Sequence, residues 1–302
     1  MKVLVSDGIE KVGSDLLKAA GVEVVEKKLS PDELLKDICN YEAIIVRSAT
    51  KVTKEVIDAG TKLKAIGRGG VGIDNIDSAY AATKGIPVLN TPGASSISVA
   101  ELAIAHMFAV VRFLNTSSMQ MRKGEWPKKE YAAGLELTGK TLGVLGFGNI
   151  GRETAKRALG LGMKIVAFDP FVNTTDMDVK LCTKDEVLAQ SDFITLHLPL
   201  IKGEPVPVGT PEFAKMKDGV IIINCARGGV VDEVALLNAL NSGKVLGAGI
   251  DVWTNEPATD AQVGLINHPR VSATPHIGAS TNEAQDRIGI EIAEKILDAI
   301  KK

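Results

Sequence analysis

Three polar residues stand just past short apolar runs in the second half of the chain. Arg227 follows Ile221-Ile222-Ile223-Asn224-Cys225-Ala226, Glu256 follows the run 245–250, and His276 follows the run 271–273. An imidazole is the side chain best matched to taking a hydroxyl proton near neutral pH. A carboxylate beside it fixes its tautomer, and a guanidinium forks onto a planar carboxylate. The three together suit the transfer of a hydride from the carbinol carbon of a 2-hydroxy acid, with Arg227 also polarising the developing carbonyl. Taken singly each is weaker: Arg227 reads as a solvated arginine and Glu256, before Pro257, as a turn residue. Among the four histidines, His106 lies on an apolar helix, His197 ends a strand and His268 sits in a turn. Only His276 combines a strand end, a preceding proline and small residues after it.

A second constellation lies upstream. Thr141-Leu142-Gly143-Val144-Leu145 runs into Gly146-Phe147-Gly148-Asn149-Ile150-Gly151. In a chain with 30 glycines, such a string alone says little; here it follows a buried strand and opens a helix, the context that binds a dinucleotide. Gly146 allows the tight turn, Gly148 lets a pyrophosphate approach the backbone, and Gly151 lets helix and strand pack. Asp169 ends the next strand, near the spacing at which an acid accepts from the ribose hydroxyls and repels a 2′-phosphate. That favours NAD over NADP.

The elements that must position these groups alternate along the whole chain. Strands are read at 2–6, 22–26, 43–47, 63–67 and 87–89, and again at 141–146, 164–168, 193–198, 220–225, 245–250 and 271–273. Helices lie between them. Ser30-Pro31-Asp32-Glu33 is a capping box with proline at the first helical position, and Thr53 and Gly60 bracket another helix. Strands apolar on both faces and separated by helices predict parallel sheets covered on two sides. The alternation pauses at one long helix over 95–114 and a polar stretch over 116–138, and the chain closes on a helix over 281–302. The expectation is α/β: two doubly wound parallel-sheet domains.

Composition narrows the function classes. The 302 residues are 45% hydrophobic and 24% charged, with a formal net charge of −2. That excludes a disordered chain and leaves no broad cationic footprint for nucleic acid. Cys39, Cys182 and Cys225 are odd in number and widely spaced, giving neither a disulfide framework nor a metal-ligand pattern. No apolar run approaches the roughly 18 residues of a membrane span, and the first residues turn polar too soon for a signal peptide. The expectation is a cytoplasmic protein with no membrane partner and no metal.

Further motifs carry a resemblance: Val46-Arg47-Ser48-Ala49-Thr50-Lys51-Val52, Gly67-Arg68-Gly69-Gly70-Val71-Gly72-Ile73-Asp74-Asn75, Asn90-Thr91-Pro92-Gly93, Asn224 to Gly229, and Pro275-His276-Ile277-Gly278. With the glycine loop, they make the chain similar to the D-2-hydroxyacid dehydrogenases over its whole length. The resemblance implies a flavodoxin-like substrate domain from 1–98 and 277–302, and a Rossmann NAD domain over 99–276. It implies Arg227, Glu256 and His276 as catalytic residues, with Glu256 hydrogen-bonded to His276. NAD contacts are implied for Val71, Gly146, Gly148, Asn149, Ile150, Gly151, Asp169, Leu198, Cys225, Ala226, Arg227, Asp251, His276, Gly278 and Ala279. Leu198 stands where the family often has threonine, so its contact is expected from backbone. Arg47, Ser48, Arg68, Gly69 and Gly70, with Arg227 and His276, are the implied substrate contacts. A 3-phosphoglycerate carries about three negative charges, which suits the pair Arg47 and Arg68 and points to oxidation of 3-phospho-D-glycerate to 3-phosphohydroxypyruvate. Alternatives are a glyoxylate or hydroxypyruvate reductase, or an NAD-sensing binding protein of the same fold. A homodimer through the helix at 100–114 is implied, and Lys128 and Lys129 are candidates to reach a partner's site.

Overall fold

The computed structural model describes residues 1–201 and 203–301. The chain divides into two compact units, Met1–Ser96 with Ala279–Lys302, and Ile97–Gly278. These bounds lie two residues from the expected 98 and 276. The C-terminal boundary moves because Gly278 is held within the second unit: its N–H donates to Asp251 at 2.8 Å and its carbonyl accepts from the Ser98 hydroxyl at 2.6 Å.

The first unit comprises β1 (Lys2–Val5), α1 (Lys11–Ala19), β2 (Glu23–Glu26), α2 (Pro31–Asp37), β3 (Ala43–Val46), α3 (Lys54–Ala59), β4 (Ala65–Arg68), α4 (Ser78–Thr83) and β5 (Val88–Asn90). The second comprises α5 (Ser96–Val111, whose first residue falls on the boundary), α6 (Leu114–Arg122), β6 (Thr141–Leu145), α7 (Asn149–Gly160), β7 (Lys164–Phe168), β8 (Lys180–Leu181), α8 (Lys184–Gln190), β9 (Phe193–Leu196), α9 (Thr210–Lys215), β10 (Val220–Asn224), α10 (Glu233–Ser242), β11 (Val245–Ile250), α11 (Asp260–Ile266) and β12 (Val271–Ala273). The closing helix α12 (Asn282–Ile300) returns to the first unit. The last residue of the expected span 281–302 lies outside the described residues.

Both sheets are parallel throughout the described residues. The first has the order β2-β1-β3-β4-β5, the flavodoxin-like arrangement. The second runs β12-β11-β10-β9-β6-β7-β8, a Rossmann order extended by a seventh strand. Each sheet buries both faces. In the first, Leu4, Ile44 and Ile66 face one core and Val3, Ala43, Ile45 and Ala65 the other, the latter closed by Ile292, Ile296 and Ile300 of α12. The expected capping box is present: the Ser30 side chain accepts from Glu33 N–H while the Glu33 carboxylate accepts from Ser30 N–H.

One expectation fails locally. The long helix over 95–114 breaks after Val111, where Phe113 adopts a left-handed φ of 54°, and the chain resumes as α6 to Arg122. The Phe113 ring stacks at 5.4 Å on Tyr131, a long-range packing contact that helical periodicity does not carry.

Candidate active site

The register of three strands explains how distant residues meet. Asn224 of β10 pairs with Ile250 of β11, and Ile250 pairs with Ala273 of β12. The three strands therefore end level, and their loops leave side by side at the carboxyl edge, where open α/β sheets present ligand sites. The pairing continues past the strands, with Asp251 N–H on the Asn224 carbonyl and His276 N–H on the Asp251 carbonyl at 2.7 Å. The loop after β10 passes directly against the next: a Cβ at Gly228 would lie 1.9 Å from the Trp253 carbonyl oxygen.

Within these loops, His276 Nδ1 lies 2.7 Å from Glu256 Oε2. Glu256 Oε1 accepts from the Trp253 N–H at 3.0 Å, so the carboxylate is fixed at both oxygens. The His276 and Glu256 side chains are 45% and 39% exposed, open to a substrate. With Nδ1–H donating to the carboxylate, Nε2 is the basic nitrogen. His276 itself has φ 55°, a strained value for a residue with a Cβ and one that clusters at functional sites. The strain is held by Asp251, 1% exposed, whose carboxylate accepts from the N–H groups of Ile277 and Gly278, each at 2.8 Å. Arg227 is half-buried and donates from Nη1 to the Ala226 carbonyl at 2.7 Å. Asn224 braces that loop, donating to the Arg227 carbonyl and accepting from Ala226 N–H. Cys225 is buried, which pushes its thiol well above the ordinary range and keeps it protonated.

The glycine loop lies between β6 and α7, and β6 pairs with β9 where the strand order reverses. Gly146 has φ 93°, and a Cβ there would sit 2.5 Å from the His197 carbonyl oxygen. A Cβ on Gly151 would meet the Gly146 carbonyl oxygen at 2.1 Å. The fold itself thus requires both. Gly148 differs: a Cβ would meet nothing within 4 Å among the described residues, and φ is an ordinary −78°. Glycine at the N-cap of α7 leaves the loop backbone bare toward this open space, which suits a pyrophosphate at the helix N-terminus. Asp169 accepts from Phe147 N–H at 2.8 Å and from Phe171 N–H at 2.9 Å, which ties the acid to the glycine loop and keeps lone pairs for ribose hydroxyls. These residues fit a dinucleotide.

Other sequence-predicted residues fall in the first unit: Val71, whose carbonyl accepts from Asn90 at 2.6 Å, and Ala279, whose carbonyl accepts from Gln285. Arg47 follows β3 and Arg68 ends β4, so adjacent strands deliver both guanidinium groups to one edge. Arg47 is bonded to Gln285 through Nη1 and carried by Asp7 through its N–H. Burial lowers its pKa from the ordinary guanidinium value, partly opposed by Glu10 and Asp7. A Cβ at Gly69 would touch Arg47 and one at Gly70 would overlap the Arg68 guanidinium, so both glycines make room for arginines. An open cavity of about 560 Å³ here is lined by Ser6, Gly8, Lys27, Lys28, Arg47 and Ser48. Lys27, Lys28 and Gln285 were missed from sequence; the two lysines end a strand without any motif. Lys128 and Lys129 are exposed after Trp126-Pro127.

Comparison with known proteins places the chain among dehydrogenases. Residues 104–278 match the model of the D-isomer specific 2-hydroxyacid dehydrogenase NAD-binding domain. The chain is 50% identical over 297 residues to a hydroxypyruvate reductase of Thermotoga maritima, covering 98% of this chain and 97% of that protein. It is 46% identical to a D-3-phosphoglycerate dehydrogenase of Archaeoglobus fulgidus, covering 100% of this chain and 58% of that protein. The chain thus spans a little over half the length of that relative. The crystal structure of a glyoxylate reductase from Paecilomyes thermophila superposes with a TM-score of 0.91 at 35% identity, covering 100% of this chain and 96% of that one.

Proposed function

The chain belongs to the D-isomer specific 2-hydroxyacid dehydrogenase family, and from that premise we propose that it oxidises 3-phospho-D-glycerate to 3-phosphohydroxypyruvate with NAD, the entry reaction of serine synthesis. The observation that carries the reading is the His276–Glu256 pair at 2.7 Å on level strand ends. The substrate assignment rests on Arg47 just after β3, Arg68 at the end of β4 and the lysine-bearing cavity beside Arg47. Four cationic side chains on one sheet edge outnumber the Asp7 and Glu26 carboxylates that line the same cavity, which suits a ligand of about three negative charges.

NAD supplies the hydride acceptor. His276 Nε2 takes the proton of the C2 hydroxyl as the hydride leaves, and the Glu256 carboxylate stabilises the imidazolium that forms. Arg227 grips the substrate carboxylate and, from the same edge, stabilises negative charge on the C2 oxygen. Arg47, Arg68, Ser48 and the backbone at Gly69 and Gly70 hold the phosphate end. Val71, Asn149, Ile150, Leu198, Cys225, Ala226, Asp251, Gly278 and Ala279 are assigned to the cofactor. A homodimer fits the exposed apolar side chains of α5 and α6, among them Phe108, Leu114, Met119 and Met121.

A second reading is favoured by the 50% identity to a hydroxypyruvate reductase. Hydroxypyruvate is the proposed product without its phosphate, so the two readings part at the phosphate contacts alone. Steady-state kinetics with 3-phosphoglycerate, glycerate, lactate, hydroxypyruvate and glyoxylate decide it. A kcat/KM for the phosphorylated pair at least about tenfold above the others supports the assignment; a preference for hydroxypyruvate replaces it. Absence of turnover on all five leaves NAD sensing as the reading.

A further inference from the structure

His106 is 2% exposed in the middle of α5, far in sequence from the candidate active site. Bare backbone on β11 lets it reach there. A Cβ at Gly249 would lie 2.4 Å from the His106 Cβ, and one at Gly247 would lie 2.5 Å from Val110, one helical turn on. Residues i and i+4 of the helix thus seat on residues i and i+2 of the strand. The imidazole is delivered between two hydroxyls on one face of the chain around β12: Nδ1 is 2.9 Å from Ser272 Oγ and Nε2 is 3.1 Å from Thr274 Oγ1.

For a neutral imidazole, the donors and acceptors admit one arrangement. Thr274 has a single hydroxyl proton and donates it to Asp251 Oδ1 at 2.6 Å. Towards His106 it can only accept, so Nε2 carries the imidazole proton. Nδ1 then accepts from Ser272, whose oxygen accepts in turn from Asn115 Nδ2 at 3.0 Å. Every bond points the same way, from Asn115 to Ser272 to His106 to Thr274 to Asp251. Doubly protonated His106 would reverse one link. Burial, which lowers the pKa of this histidine, works with the arrangement, and the Asp251 charge opposes it only in part.

We propose that His106 is a positioning residue for His276, its Nε2–H tautomer completing a one-way series of hydrogen bonds that aims Asp251 at the N–H groups of the turn carrying His276. Asp251 needs aiming: it binds Ile277 N–H through Oδ1 and Gly278 N–H through Oδ2, while its carbonyl holds His276 N–H. A carboxylate rotated by loss of Thr274 releases a turn whose central residue has positive φ. The inference rests on the reading of His276 as the proton-accepting group.

The test compares His106→Leu with His106→Gln, and Thr274→Val with Thr274→Ser. It reads amide hydrogen exchange at Ile277 and Gly278 in the cofactor-free protein, together with kcat and KM. In His106→Leu, exchange at those two amides accelerates about tenfold relative to the rest of the unit, and kcat falls about tenfold with the substrate KM within about twofold. His106→Gln, which returns a donor to Thr274, recovers most of both losses, and His106→Leu combined with Thr274→Val is no worse than the more damaging single change. Thr274→Val and Thr274→Ser carry the same contrast should His106→Leu not fold. Unchanged exchange at 277 and 278 overturns the proposal, and so does acceleration spread over the whole unit without recovery by glutamine. Local acceleration in a protein whose parent turns over no 2-hydroxy acid upholds the positioning role and removes the catalytic reading instead.

Discussion

In the second unit, the imidazole of His276 is held by a fixed carboxylate on one side and by three consecutive backbone N–H groups behind it, all bound to buried Asp251. In the first unit, Arg47 and Arg68 stand at the ends of adjacent strands with glycines cleared around them, and Arg47 lines an open cavity. On the proposed function, the contrast separates two tasks, proton transfer in the second unit and recognition of a charged end group in the first. Proton transfer depends on tenths of an ångström and is secured by backbone that cannot rearrange without breaking a sheet register. Recognition of a multiply charged end group tolerates looser geometry, because charge attracts over distance, and long side chains suffice.

The sharpest way to break this comparison is to remove the imidazole. His276→Ala is expected to lower kcat by about 10²–10⁴ while NADH affinity, measured by fluorescence, changes less than about twofold; retained turnover takes the reaction away from this site. Arg47→Ala tests the other unit. Its KM for 3-phosphoglycerate should rise at least about tenfold while that for unphosphorylated 2-hydroxy acids barely moves, and equal effects on both would defeat the phosphate assignment. The glycine loop offers a contrast within one motif. Gly151→Ala should cost about 1–3 kcal/mol of stability through overpacking, whereas Gly148→Ala keeps the parent Tm and weakens NADH binding about tenfold. Intact NADH binding in a stable Gly148→Ala protein would remove the pyrophosphate from that position.

The smallest effect concerns acid. All four histidines lie in the second unit, and burial pushes His197 down to about 3 from an ordinary 6.5. Between those values the unfolded chain binds a proton that the native chain does not, so stability declines as pH falls through that window. Tm should drop between pH 7 and 5, and His197→Gln should flatten the drop. A pH-independent Tm in the parent would contradict the buried neutral imidazole.

Much of this was readable along the chain. The strands 164–168, 245–250 and 271–273 coincide with β7, β11 and β12, because apolar runs bounded by turn residues are local signals. The glycine loop and Asp169 were legible for the same reason: strand, turn, helix and acid are consecutive. The break at Phe113 was not, since it answers to Tyr131 in packing. His106 lies on a helix that reads as apolar, and its burial follows from that, while its partners carry no local signal. Thr274 lies two residues before His276, yet nothing local says that its hydroxyl turns toward Asp251.

By itself the sequence determined the alternation of elements, the dinucleotide fingerprint and the identities of the arginine, acid and imidazole, all of which are written in periodicity and near-neighbour spacing. Tertiary structure alone decided that β10, β11 and β12 end level and which nitrogen of His106 bears its proton in the proposed series, and it brings Glu256 to His276 as the resemblance implied. Those outcomes depend on hydrogen bonds between strands and helices far apart in the chain, whose partners are chosen only when the sheet closes.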